Sequence, residues 1–390
     1  MKTLFQSYIT IATLLLVFSS CKNDDNASDY EITEENIVVN GRATLTNLNK
    51  KLTIDLNDGN LIEEIALTND SNIKIDKGYT YEFSATTIKK TNNTGTIEWV
   101  KEYPEEAGTS KKLEDSKIVF SEHVLYVSYQ ILNTTTHSSA YYLEALDIET
   151  GNTNWKINVG AKTLPYVYKN RLITIQYPNG NASIVFQYRN KIHGYVEVEK
   201  TINERINDYL FDGDLIIANS WSSKVFALDR SLNTAWSFNT DEANPGTGYI
   251  KEDQYLFYSR DQHVYSLHKD SGELKWKTLL PEKFFLGMHQ NNNYTYVGYQ
   301  SGTKTLTISK INNENGKIES AMETAMSEDY YTTKLTFDKE YLLLVTFPTS
   351  EERGTEIEAK LFHLPKSKEI WSKYFNMNMI QFKATLKSEE

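Results

Sequence analysis

Leu146-Asp147-Ile148-Glu149-Thr150-Gly151-Asn152-Thr153-Asn154-Trp155 decides the fold, because it returns, worn but readable, as Leu267-His268-Lys269-Asp270-Ser271-Gly272-Glu273-Leu274-Lys275-Trp276. Ahead of the first copy, Tyr141-Tyr142-Leu143-Glu144-Ala145-Leu146 suits a strand with one buried face. Thr150-Gly151 supplies a turn residue able to take positive φ, and the next strand begins at once. The unit is a β-hairpin. The Trp four residues after the Gly lies in the outgoing strand, where an indole can fill the gap between neighbouring sheets.

Further copies are Thr94-Gly95 with Trp99, Asn315-Gly316 without a Trp, and a shortened Ala227-Leu228-Asp229 leading to Trp236 without a Gly. Weaker ones are Asp58-Gly59, Lys366-Ser367-Lys368 before Trp371, and a degenerate His193-Gly194. Trp236 and Trp276 are 40 residues apart, and Trp155 and Trp236 are 81 apart, two units with the degenerate copy between them. Periods of this length indicate four-stranded antiparallel blades of a β-propeller. The expected fold is all-β: a single propeller over residues 36–390 with eight blades of roughly 44 residues, or seven if Asp58-Gly59 does not count. Met379–Leu386 has strand character and is expected to pair into the first blade, closing the ring.

The phrase resembles the repeat of the pyrroloquinoline-quinone-like (PQQ-like) β-propeller family, in which blades read like Ala-Leu-Asp-x-x-Thr-Gly-x-x-x-Trp. Residues 145–155 match it closely, and residues 227–236 and 266–276 match in part. The resemblance implies a fold shared by quinone-dependent dehydrogenases and by non-catalytic lipoproteins of outer-membrane β-barrel assembly. The dehydrogenases hold their quinone with a metal ion, a catalytic Asp and often a vicinal disulfide. The chain has a single cysteine, Cys21, so that disulfide cannot form, and no cofactor is expected.

Cys21 follows Lys2, an apolar stretch from Ile9 to Phe18, and Ser19-Ser20. This resembles a bacterial lipoprotein signal peptide, residues 1–20, with Cys21 as the lipidated residue. Residues 21–35 read as a flexible acidic tether, and its Asp24-Asp25 is similar to surface-export signals of Bacteroidota lipoproteins. The expected location is the bacterial outer membrane, with exposure at the cell surface and a plain solvated linker as equal readings. With 41 basic against 52 acidic residues the formal net charge is −11, which repels nucleic acid and anionic headgroups.

The chain lacks a Gly-x-Ser-x-Gly elbow, a His-Glu-x-x-His pair and a phosphate-binding Gly-rich loop. His263 and His268 lie five apart in one hairpin and read as repeat variants, so no metal site is expected; the paired carboxylates, such as Glu63-Glu64, read as solvated charge. One further pattern concerns the strand before each hairpin, which ends in Tyr129, Tyr177, Trp221, Arg260, Tyr299 or Phe347 in successive units. Equivalent positions fall on one ring of a propeller, where these six would either contact a partner or ligand, or fold under the next blade as packing. Trp221, in Asn219-Ser220-Trp221-Ser222-Ser223, looks like an exposed turn. Gly95, Trp99, Gly151, Trp155, Trp236, Gly272, Trp276 and Trp371 are read as architecture. The expected role is a lipid-anchored, non-catalytic envelope scaffold with a protein partner. Capture of a glycan or peptide is the alternative, and an enzyme with an unrecognised site is the third reading.

Overall fold

The structure, a computed structural model, describes residues 37–389 apart from 48–49, 67–71, 85, 104–107, 179–181, 242–244, 252, 261, 283, 292, 302–304, 326–329, 349–355 and 378–381. The signal peptide, Cys21 and the tether lie outside these residues. The body begins at Val39. Its described strands, β1 to β32 in chain order, form eight four-stranded antiparallel sheets, and the chain is an eight-bladed β-propeller.

Blade 1 is built from both ends of the body. β1 (Gly41–Thr46), β2 (Lys50–Asp55) and β3 (Leu61–Ala66) form its outer strands, and β32 (Lys383–Ser388) pairs with β1 as the innermost. The closing strand is therefore shorter and later than Met379–Leu386. Blades 2 to 8 span residues 72–102, 109–158, 162–202, 206–239, 245–279, 284–325 and 330–376, each running from its inner strand outward. First-to-second and third-to-fourth turns lie on one face of the disc, and second-to-third turns on the other.

The strand before the repeated phrase departs from the expected alternation. In β10 (Ser139–Asp147), Leu143, Glu144, Ala145 and Leu146 are all buried. The middle strands of a blade are covered on both faces by the neighbouring blades, so side chains pointing either way leave water. Alternation survives in outer strands such as β15 (Val196–Ile202) and β19 (Thr234–Asn239), which have only one blade-covered face.

The Trp and Gly of the phrase work across blades rather than within one. The indole N–H groups of Trp99, Trp155, Trp236, Trp276 and Trp371 donate to the carbonyls of Ile148, Lys191, Lys269, Asn313 and Leu56, at 2.8–3.1 Å, each in the hairpin of the following blade. Under each ring sits that hairpin's Gly151, Gly194, Gly272, Gly316 or Gly59, where a Cβ would come within 2.9 Å of the indole. All five have φ of 70–77°. The glycine thus answers two demands, a left-handed turn and space for an indole. At the join between blades 2 and 3 a buried Lys90 adds a second donor, its ammonium reaching Ile148 O at 3.1 Å and Glu149 at 2.9 Å.

Blades 1, 4 and 7 carry no such Trp. In the hairpins that follow blades 4 and 7, the left-handed position is held by Leu232 (φ 59°) and Ser367 (φ 49°) instead of Gly. Gly95, which follows blade 1, has open space above it.

Candidate functional site

The six ring positions do not share one environment. Tyr129, Tyr299 and Phe347 are buried at 2–3% exposure. Tyr129 stacks on Tyr142 with centroids 5.5 Å apart, Tyr299 shares a 3.0 Å hydrogen bond with Ser309, and Phe347 meets the edge of Phe382 at 4.7 Å. These three are packing and leave the set of candidate contacts: Tyr129 and Tyr299 lie within their strands against the preceding blade, and Phe347 lies against Phe382 beside the closing strand. Tyr177 is half buried, and burial raises its phenol pKa.

Trp221 and Arg260 remain on the surface, in the second-to-third turns of blades 5 and 6. The Arg205 guanidinium lies 3.7 Å over the Trp221 ring, and the Trp221 N–H donates to Arg205 O at 2.7 Å. One face of the indole is therefore already taken by a cation.

A concavity follows the seam between blades 4 and 5, one of the joins without a Trp. Toward the inner strands, a recess of about 530 Å³ is lined by Tyr166 and Tyr168 of β12 (Lys162–Tyr168), Tyr177 of β13 (Arg171–Tyr177), and Asn207–Phe211 of β16 (Ile206–Asp212). Rings fill the space between β12 and β16: Tyr166 lies 5.7 Å from Tyr209 and 5.4 Å from Phe211, and Tyr168 stacks on Phe211 at 5.7 Å. The Tyr166 and Tyr209 hydroxyls are 2.5 Å apart. Burial drives the Tyr209 phenol far above its ordinary pKa, with the neighbouring tyrosines adding to the effect, so it serves as a hydrogen-bonding group and not as a base at neutral pH. Asp208 accepts from the N–H groups of Gly248 (3.1 Å) and Tyr209 (2.9 Å), yet burial outweighs these bonds and raises its carboxyl pKa.

On the face carrying the first-to-second turns, the same seam opens into a cleft of about 740 Å³ joined to a narrower neck of about 120 Å³. Arg171, Tyr188 and Arg230 line both, while Tyr168 and Phe211 line both the neck and the inner recess. Sequence reading passed over these residues because Tyr188 and Arg230 belong to the two least regular hairpins, Tyr168, Arg171 and Phe211 lie in strands outside the repeated phrase, and no motif marks them. The one available sign was the missing Trp. Among the described residues no group of three or more His, Cys, Asp and Glu side chains is placed to hold a metal ion.

No family model matches the chain. No curated protein matches it in sequence. Solved structures do share its fold. The dihydro-heme d1 dehydrogenase NirN, in complex with DHE, superposes with a TM-score of 0.54 at 12% identity, over 86% of this chain and 73% of that one. Apo AztD from Citrobacter koseri gives 0.52 at 10%, over 90% and 99%, and BamB from Moraxella catarrhalis gives 0.48 at 13%, over 79% and 96%. At such identities the likeness is one of fold. An enzyme stands among these structures, so propeller architecture leaves function to the sites it carries.

Proposed function

We propose that the chain is a non-catalytic protein-interaction scaffold, held at the bacterial outer membrane by lipid on Cys21. The observation that carries this reading is an apolar rim on two consecutive blades. Leu61, Ile62 and Ile65 of β3, and Ile97 and Val100 of β7 (Ile97–Glu102), are 39–55% exposed on edge strands. The carboxylates between them on β3 are turned to its neighbour strand: Glu64 pairs with Lys50 at 3.0 Å, and Glu63 accepts from the Thr53 hydroxyl at 3.5 Å. β3 therefore offers exposed aliphatic side chains interspersed with two exposed but partnered carboxylates on an edge strand, a combination suited to a protein partner. The lipoprotein-like residues 1–21 support the anchor.

The test is capture by in-cell crosslinking and affinity purification from solubilised envelopes. A variant with Leu61, Ile62 and Ile65 all replaced by Thr is expected to lose the crosslinked partner while unfolding at the wild-type temperature. Capture at the wild-type level by that variant rejects the rim as the docking surface. Cys21→Ala is expected to move the protein from the membrane to the soluble fraction, and unchanged membrane retention rejects the anchor.

A further inference from the structure

We propose that the cleft between blades 4 and 5 is a binding site for an acidic oligosaccharide, one bearing carboxylate or sulfate groups on its sugar rings. The site is independent of the apolar rim on blades 1 and 2. In a chain of net charge −11, its neck and cleft gather Lys169, Arg171, Arg189, Lys191 and Arg230 against two carboxylates, Asp214 and Glu197. Arg189 is spent on structure: its guanidinium donates to Thr174 Oγ1 (2.9 Å), Gly194 O (2.8 Å) and Gln187 Oε1 (2.7 Å). The other four cations border the opening.

Their supports are tied by hydrogen bonds and ring contacts. Trp155 donates to Lys191 O and rests on Gly194, fixing the hairpin that carries Lys191. The Arg171 guanidinium lies 5.2 Å from the Tyr188 ring centre, and the Lys191 ammonium donates to Asn170 Oδ1. Across the seam, Gly213 N–H donates to the Tyr168 hydroxyl at 2.9 Å, tying the turn that bears Asp214 to blade 4. Leu232, 1% exposed and left-handed, plugs the seam where an indole would otherwise sit, while Asp229 Oδ1 accepts from Ser231 N–H and holds the turn that presents Arg230.

The mixture of groups selects the ligand class. Guanidinium and ammonium groups bind an isolated carboxylate or sulfate. Tyr168 and Phe211, stacked on each other, and Tyr188, with Arg171 over its ring, leave only the parts of their rings that line the neck and cleft as apolar surface for the C–H groups of a pyranose. Asp214 and Glu197 can accept sugar hydroxyls, but would repel a run of closely spaced anions such as an acidic peptide or a nucleic acid. The cleft volume falls within the range of about 300–1,000 Å³ usual for ligand sites.

Isothermal titration calorimetry of the full-length protein in detergent tests this with five probes: trigalacturonate, a sulfated galactan trisaccharide free of uronate, neutral galactotriose, hexaglutamate and inorganic phosphate. At least one of the two acidic saccharides is expected to bind, and to exceed galactotriose, hexaglutamate and phosphate by about tenfold or more. Which of the two binds identifies carboxylate or sulfate as the anion. Arg171→Gln and Arg230→Gln are each expected to weaken that binding about tenfold at unchanged melting temperature, with partial rescue by Arg171→Lys. Asp214→Asn is expected to weaken it as well. Binding of neither acidic saccharide overturns the proposal, as does equal binding of hexaglutamate or phosphate, or affinity unaltered in both arginine variants.

Discussion

At the scale of single residues, the glycines of the repeated phrase differ in what surrounds them. Gly95 and Gly272 both hold a left-handed φ, 83° and 71°, but a Cβ on Gly95 meets nothing within 4 Å, whereas one on Gly272 would lie 2.4 Å from the Trp236 ring. Gly95→Ala is therefore expected to cost only the conformational penalty of about 1–2 kcal/mol. Gly272→Ala adds overpacking of about 1–3 kcal/mol. Chemical denaturation of the two variants measures the difference; equal losses would show that the indole yields freely. The turn role of these glycines was legible in Thr-Gly and Ser-Gly, since φ is a local property. The indole above them was not, because it arrives from the previous blade.

At the scale of elements, the hairpin and the strand that carries the Trp are joined through a partner blade. Trp236→Ala removes both the ring over Gly272 and the 2.8 Å bond to Lys269 O, and is expected to destabilise by about 3–5 kcal/mol. In that background the overpacking cost of Gly272→Ala should vanish, leaving only the left-handed penalty. A double-mutant cycle in denaturant reads this coupling, and strict additivity of the two changes would contradict a direct lock. The same element-level view explains the candidate ring. Tyr129, Tyr299 and Phe347 occupy positions equivalent in sequence to Trp221 and Arg260, yet the first three are buried and the last two exposed, because cover is supplied by a neighbouring blade and varies from one blade to the next.

At the scale of the whole molecule, closure rests on β32, which supplies the innermost strand of blade 1, while Ser388 donates through its N–H and hydroxyl to Asp338 of blade 8 at 2.6 and 2.8 Å. Removing residues 383–390 is expected to expose the β1 edge and open the ring, giving aggregation in light scattering and a lower melting temperature. A truncated chain that stays monomeric with unaltered melting would show that closure contributes little. The sequence by itself determined the propeller, its hairpins and the chain-end closure, and narrowed the count to eight blades or seven, because these follow from strand periodicity and turn chemistry that each segment carries alone. Only the tertiary structure decided which aromatics are packing, why the Trp of one blade needs the Gly of the next, and that blades 4 and 5 meet without that lock and open a cation-bordered cleft. Those outcomes depend on side chains from separate blades meeting across a seam, and no single repeat contains both of its walls.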